Sequence, residues 1–263
     1  MSRQNYYARR RQRQRQELEH ELVLAHVRVH RQTQPRLGTR KLHHLLRAPL
    51  ARAGVQLGRD RLFNLLREHD LLVPPLRAAY PNTTDSNHPL DTFTNLEKGQ
   101  VVTGPHQVLV GDITYVRTRE GFLYLSLLTD KKSRKIVGYH CGDTLESSGC
   151  LAALEMALEQ LPEGARPLHH TDRGRQYRCH EYVSKLRERG LTISMTERDH
   201  CAQNALAERM NGILKTEYGL GGEFASRAQG RKAVKQAIHL YNTQRPHRAL
   251  GYAVPEQAHS LAA

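Results

Sequence analysis

The sequence contains no tryptophan, only 6% aromatic residues, and four cysteines among 263 residues. Those cysteines (Cys141, Cys150, Cys179 and Cys201) form no Cys-x-x-Cys pair. So few and so scattered, they exclude a disulfide framework and point to a reducing, cytoplasmic compartment. No apolar run approaches the ~18 residues that a membrane span requires, so a membrane partner is not expected. The amino terminus carries Arg9, Arg10, Arg11, Arg13 and Arg15 without an apolar segment or a small-residue cleavage site, which excludes a secretory leader. Acidic charge is scarce as well. Against 40 Lys+Arg stand 26 Asp+Glu, a formal net charge of +14.

The excess is uneven. Residues 1–80 hold 17 Lys+Arg and 6 Asp+Glu, whereas residues 81–263 hold 23 and 20. The amino-terminal third is therefore the expected footprint on a polyanion. An arginine-rich helix alone is usually a solvated face; a whole basic region beside a cluster of acids carries more weight. With 38% hydrophobic residues, the chain can bury a core as one large domain or a medium domain plus a small one.

Apolar residues at helical spacing (Leu18, Leu22, Ala25, Val29) predict a helix over 17–30, stopped by Pro35. Gly38-Thr39 offers an N-cap for a second helix carrying Leu42, Leu45 and Leu46. A third helix, 59–69, buries Leu62, Phe63, Leu65 and Leu66 and shows Arg59, Arg61 and Arg67. Residues 1–75 thus read as a basic, helix-turn-helix-like DNA-binding module, with Arg59 and Arg61 as candidate DNA contacts. Residues 76–104, rich in Pro, Asn, Thr, Ser and Asp, read as a linker. Strands follow at 107–117, 122–129 and 136–141, the first two joined as a hairpin through Arg119-Glu120-Gly121. Helix 145–160, strand 167–171, helix 179–189, strand 191–195 and helix 204–218 come next. That order predicts an α/β fold, an RNase-H-like mixed sheet flanked by helices, as the catalytic core over 105–220. Residues 221–263 are left as a carboxy-terminal helix, 226–241, and a tail.

Three carboxylates stand out. Asp112 lies inside the apolar run Val108-Leu109-Val110-Gly111-Asp112-Ile113-Thr114-Tyr115-Val116, where an unpartnered charge is costly. Asp172 follows Leu168-His169-His170-Thr171, where strand gives way to loop, and Glu208 lies 36 positions further on inside a helix. On that helix Asn204, Glu208, Asn211 and Lys215 share one face, opposite Leu206, Met210, Ile213 and Leu214. A lone Asp or Glu in such positions caps or solvates. Jointly, three clustered acids in a basic chain suit two Mg²⁺ ions (Mn²⁺ as substitute) placed ~3.5–4 Å apart against a phosphodiester. Asp112, Asp172 and Glu208 are the candidate catalytic and metal-binding residues; Lys215, Asn204 and Asn211 are candidate DNA contacts.

The stretches Asp112-Ile113-Thr114-Tyr115, His170-Thr171-Asp172-Arg173-Gly174-Arg175-Gln176-Tyr177, Asn204-Ala205-Leu206-Ala207-Glu208-Arg209 and Tyr241-Asn242-Thr243-Gln244-Arg245-Pro246-His247 together resemble the bacterial insertion-sequence transposases of the IS-three family. The likeness is to their second-reading-frame catalytic subunit, of the DDE integrase-core superfamily, and covers nearly the whole chain. It implies that Asp112, Asp172 and Glu208 form the metal-binding triad and that Lys215, seven positions on, contacts DNA ends. It further implies cleavage at inverted-repeat ends, 3′-hydroxyl strand transfer into target DNA, homo-oligomers, and a first-reading-frame protein as partner or fusion. The site of action would be the bacterial cytoplasm, at the nucleoid. Two departures stand out: Leu109 and no tryptophan near the first aspartate, and Asp199-His200-Cys201-Ala202-Gln203 in place of a Gly-Asn-Pro loop.

Other signals are weaker. His26, His30, His43 and His44 lack the Cys-x-x-Cys of a zinc module. His169 and His170 could tune the site, or simply pack. Asp130 could support the site or pair with Lys131, Lys132 or Arg134. Cys201 reads as a small buried residue. The rival functions are a catalytically silent DNA-binding regulator and a nuclease that hydrolyses without joining.

Overall fold

The computed structural model describes residues 3–74, 92–197 and 201–260. The expected linker residues 76–91, and Asp199-His200, lie outside them. The chain divides into two compact units, Met1–Arg77 and Ala78–Ala263.

The first unit holds three helices: α1 (Arg3–Thr33), α2 (Thr39–Arg52) and α3 (Arg59–Glu68). Its core joins Val23, Leu24 and Val27 of α1 to Leu42 and Leu46 of α2 and Leu62 of α3. The expected α1 is too short and faces the wrong way. Leu18 and Val29 are 67% and 59% exposed, because the bundle grips the helix through the 23/24/27 stripe instead. Gly38 holds the N-cap position of α2 and Thr39 is its first residue; no side chain caps this end.

The second unit is a mixed sheet of β1 (Val108–Thr118), β2 (Gly121–Asp130), β3 (Ile136–Gly142), β4 (Leu168–Thr171), β5 (Thr192–Met195) and β6 (Glu223–Phe224). The strand order is β3-β2-β1-β4-β5, with β6 pairing the end of β1. β1, β2 and β3 run antiparallel, and β4 and β5 run parallel to β1. The near-continuous apolar run of β1 makes it the central strand, covered on both faces. Its hairpin to β2 turns at Gly121, whose φ of 108° suits only glycine, while the Thr118 hydroxyl donates to the Gly121 carbonyl at 2.6 Å.

One face of the sheet is covered by α4 (Ser147–Leu158), α5 (Arg175–Arg178) and α6 (His180–Glu188), packed on Leu109, Leu128 and Val137. Here α4 crosses β3 so closely that a Cβ on Gly138 would lie 2.1 Å from the Ala153 carbonyl oxygen. The other face is covered by α7 (Ala205–Glu217) and α8 (Arg227–Gln244), which bury Met210, Leu214, Val234 and Ile238 against Val116 and Leu125. A last short helix, α9 (Pro255–Ser260), follows.

Two expected boundaries give way to packing. The described part of the expected linker, 92–104, is docked: Phe93 joins the core, Leu96 N–H donates to Ser194 Oγ at 2.9 Å and Asn95 donates to Gln203 at 2.9 Å. Its polar residues serve the fold rather than solvent. Residues after 220 are likewise part of the sheet unit, because β6 pairs Arg117 and Thr118 of β1, and α8 covers a core face. The short α5, β6 and α9 escape periodicity altogether.

Candidate active site

The first two acids are placed by strand register. β1 and β4 pair in parallel with Val110 opposite His170, so Asp112 on β1 and Asp172, one residue past the end of β4, each sit two residues beyond that pair. Adjacent strands lie only ~4.8 Å apart. Close approach at this point needs Gly111, where a Cβ would come within 3.0 Å of Thr171 Cγ2 and 3.4 Å of His169 Cε1. Past Thr171 the chain leaves the sheet, and Asp172 Oδ1 accepts the Gly174 N–H at 2.9 Å, closing a tight turn.

The helix α7 brings the third acid. Asn204 occupies its N-cap position, yet the side chain does not cap it: Nδ2 donates to the Gly111 carbonyl at 3.0 Å. Two turns on, Asn211 Nδ2 donates to Asp112 Oδ2 at 2.7 Å. These amides lay the polar face of α7 along β1, and Glu208 falls between them on the same face. Glu208 remains exposed at the rim, whereas Asp112 is half-buried.

Asp112 feels both other acids. Burial first, then the Asp172 charge and, more weakly, Glu208, push its carboxyl up to about 8, against the opposing Ile113 N–H and Asn211 amide. The three oxygen-donor groups carry like charge, which a hard divalent cation offsets. Asp112, Asp172, Glu208 therefore fit such a cation by donor chemistry. Among the described residues no three His, Cys, Asp or Glu side chains stand at ligating distances of one point, so the acids converge without being closed around a centre.

Lys215 lies on the same face of α7, its Nζ 4.3 Å from the centre of the Tyr115 ring, and burial lowers its pKa against the pull of Asp112. Tyr115 escapes a reading of the residues one by one; only its place three positions after Asp112 hints at it. His169 and His170 belong to the interior. His169 Nε2 meets the Tyr182 hydroxyl at 2.8 Å, and burial drives this imidazole down to about 3. His170 Nδ1 meets Ser194 Oγ at 2.9 Å, and burial lowers it too. Asp130 is fully buried and accepts from His106 N–H, Ser133 N–H and Ser133 Oγ, a turn anchor remote in role from the acids.

The expected DNA contacts separate. Asn204 and Asn211 are 4% and 7% exposed and hold β1, which corrects their assignment to a DNA face. Arg59 and Arg61 are on the surface of α3, Arg59 bonded to Asp60 at 2.8 Å and Arg61 lying 3.9 Å from Glu19.

Two integrase core domain models match the chain, over residues 102–201 and 189–255. An insertion element IS600 protein of 31 kDa from Shigella sonnei is 36% identical over 92% of this chain and 88% of its own length. The transposase for insertion sequence element IS629 from Shigella sonnei is 31% identical over 80% of this chain and 70% of its own. Transposase InsF for insertion sequence IS3A of Escherichia coli is 37% identical over 65% and 60%. In fold, the chain resembles a chain of the simian T-cell lymphotropic virus intasome solved in complex with PP2A regulatory subunit B56 gamma, with a TM-score of 0.52 at 19% identity, covering 84% of this chain and 74% of that one. The sheet order, the integrase core and these relatives agree: the chain belongs to the IS3 family of insertion-sequence transposases, polynucleotidyl transferases that move DNA segments.

Proposed function

We propose that this transposase cuts DNA at the ends of its element and joins the freed 3′-hydroxyl to target DNA, with Asp112, Asp172 and Glu208 as the catalytic carboxylates. The observation that carries this reading is the β1–β4 register, which sets Asp112 on β1 beside the end of β4 where Asp172 follows, with Asp112 coupled to both other acids. The carboxylates would hold two Mg²⁺ ions, which supply activation of the attacking oxygen and stabilisation of the leaving one. Asn211 orients Asp112 by holding Oδ2, and the Gly174 N–H orients Asp172 by holding Oδ1. Lys215, over the Tyr115 ring, would meet a strand phosphate beside the acids.

The basic first unit would bind the element's inverted-repeat ends, with Arg59 and Arg61 on its surface. Among the described residues no helix is long and apolar enough to cross a membrane. The work on DNA would take place in the bacterial cytoplasm. A homo-oligomer would bring two ends together, and a first-reading-frame protein could join it, separately or as a fusion.

The test is an oligonucleotide assay with Mg²⁺ or Mn²⁺ that resolves joined, cut and merely bound products. Wild type is expected to join. Asp172→Asn is expected to bind duplex DNA as wild type does and to lose at least ~10³-fold in cleavage, the scale of a lost transition-state contact. Robust Mg²⁺-dependent cleavage by that variant defeats the assignment; cut product without joined product favours a nuclease.

A further inference from the structure

The first half of α1 is the largest part of the described structure with no apolar purpose. From Arg3 to Leu18 every residue is exposed, while the same helix is gripped further on by Val23, Leu24 and Val27. Residues 3–16 contain six arginines, four glutamines, Asn5, two tyrosines and Ala8, and no acid. No aliphatic side chain larger than alanine is present there, so this half cannot seat a hydrophobic groove or a coiled-coil seam. Arg9/Arg13 and Arg11/Arg15 are like-charged pairs at i,i+4, which weaken a helix in water and which an external polyanion would relieve.

The arrangement around the axis is not uniform. At ~100° per residue, Asn5, Ala8, Gln12 and Gln16 fall within an arc of roughly 80°. Arg9 and Arg13 border that arc on one side and Arg11 and Arg15 on the other; Arg3 and Arg10 lie behind. An amide stripe with one small residue, edged on both sides by guanidinium groups, matches the cross-section of a B-DNA major groove. That groove is about 12 Å wide, has base edges as its floor and a phosphate wall on each side, and its adenine edges accept bidentate Asn or Gln. On α3 Arg59 is bonded to Asp60 and Arg61 leans toward Glu19; on α1 Arg15 is paired with Glu19 at 3.1 Å, an exposed pair that a phosphate can replace.

We propose that residues 3–16 of α1 are a major-groove recognition helix: Asn5, Gln12 and Gln16 face base edges, and Arg9, Arg13, Arg11 and Arg15 hold the two phosphate walls. The helix runs unbroken into the bundle, so the bundle fixes its direction on the duplex, as a basic-region helix is fixed by the domain it continues. The inference rests on the family's action on DNA and not on the carboxylate chemistry.

Binding is therefore read with the full chain in chelator, where cutting is silent, on a short mixed-sequence duplex and on a randomised duplex pool. Arg9→Gln, Arg11→Gln, Arg13→Gln and Arg15→Gln together should lower the slope of log affinity against log salt by about 3–4, at ~0.9 per phosphate contact. Arg3→Gln with Arg10→Gln should change the slope by less than half as much as any wall pair. Asn5→Ala, Gln12→Ala and Gln16→Ala together should alter the sequences selected from the pool and leave the slope in place. An equal effect of the rear pair means bulk charge alone and overturns the proposal. So does unchanged selection by the amide variant. Tighter binding to an RNA duplex of the same sequence also overturns it, because the A-form major groove is too narrow and deep to be read. Circular dichroism of each variant shows whether α1 is still helical; a four-arginine variant (Arg9→Gln, Arg11→Gln, Arg13→Gln and Arg15→Gln) that keeps its helix and its wild-type slope sinks the idea outright.

Discussion

The helices α3 and α7 both carry a polar face, and the two faces do opposite things. On α3 the polar residues stay in water and pair locally, Arg59 with Asp60 and Arg67 with Asn64. On α7 the polar residues turn inward: Asn204 holds the Gly111 carbonyl, Asn211 holds Asp112, and Glu217 at its end grips Arg245 at 2.7 and 2.8 Å. A polar stripe on a helix therefore says little until the neighbouring element is known. Where that neighbour is a strand carrying a charge, the stripe positions chemistry and costs stability; where it is solvent, it costs almost nothing.

The inward face depends on the sheet beneath it and on the end of α7, and the largest expected effects are there. Gly138→Val should leave no folded sheet unit, since its side chain would need the space of the Ala153 carbonyl; loss of the cooperative urea transition checks this. Arg245→Ala should cost about 3–5 kcal/mol by urea midpoint, because Arg245 is 3% exposed and its removal leaves Glu217 without its fork.

Asp112→Asn should do the reverse of what most interior substitutions do. Folding lifts the Asp112 carboxyl from its ordinary range to about 8, so between about pH 4 and 8 the folded chain holds a proton that the unfolded chain releases. Raising the pH through that window drains stability from the metal-free protein, and above 8 the whole penalty stands. In chelator at pH 9 the asparagine variant should be more stable by about 1–3 kcal/mol, with the gain gone near pH 4. An equal melting temperature for variant and wild type across the range would refute the coupling. The smallest effect belongs to the outward face: Arg59→Gln should leave the urea midpoint where it is in wild type, since its pair with Asp60 lies in water.

How much of this the sequence reveals depends on the length of each pattern. The hairpin of β1 and β2 and the helix α7 are legible because each is a long apolar or helical run with a turn signal at its end; Asp112 and Glu208 are placed with them, and Asp172 by the turn that follows β4. The gripping stripe of α1 is not, because aliphatic residues fall on two sides of that helix and only the α2 and α3 partners decide which is buried. Residues 92–104 mislead because their Asn and Ser-pairing groups look like solvent-exposed composition, whereas Asn95 and Leu96 are bonded to Gln203 and Ser194, some hundred positions away. Asn204 is opaque for the same reason: its place on a polar helix face is read locally, but its bond to Gly111 is not.

The pairing of β6 with β1 has a consequence for synthesis. The strand that bears Asp112 is translated early, yet its far end is clasped by Glu223 and Phe224, and the sheet face beneath is roofed by Val234 and Ile238. A nascent polypeptide halted before these segments leaves that face open to water and the strand of Asp112 unclasped at its far end.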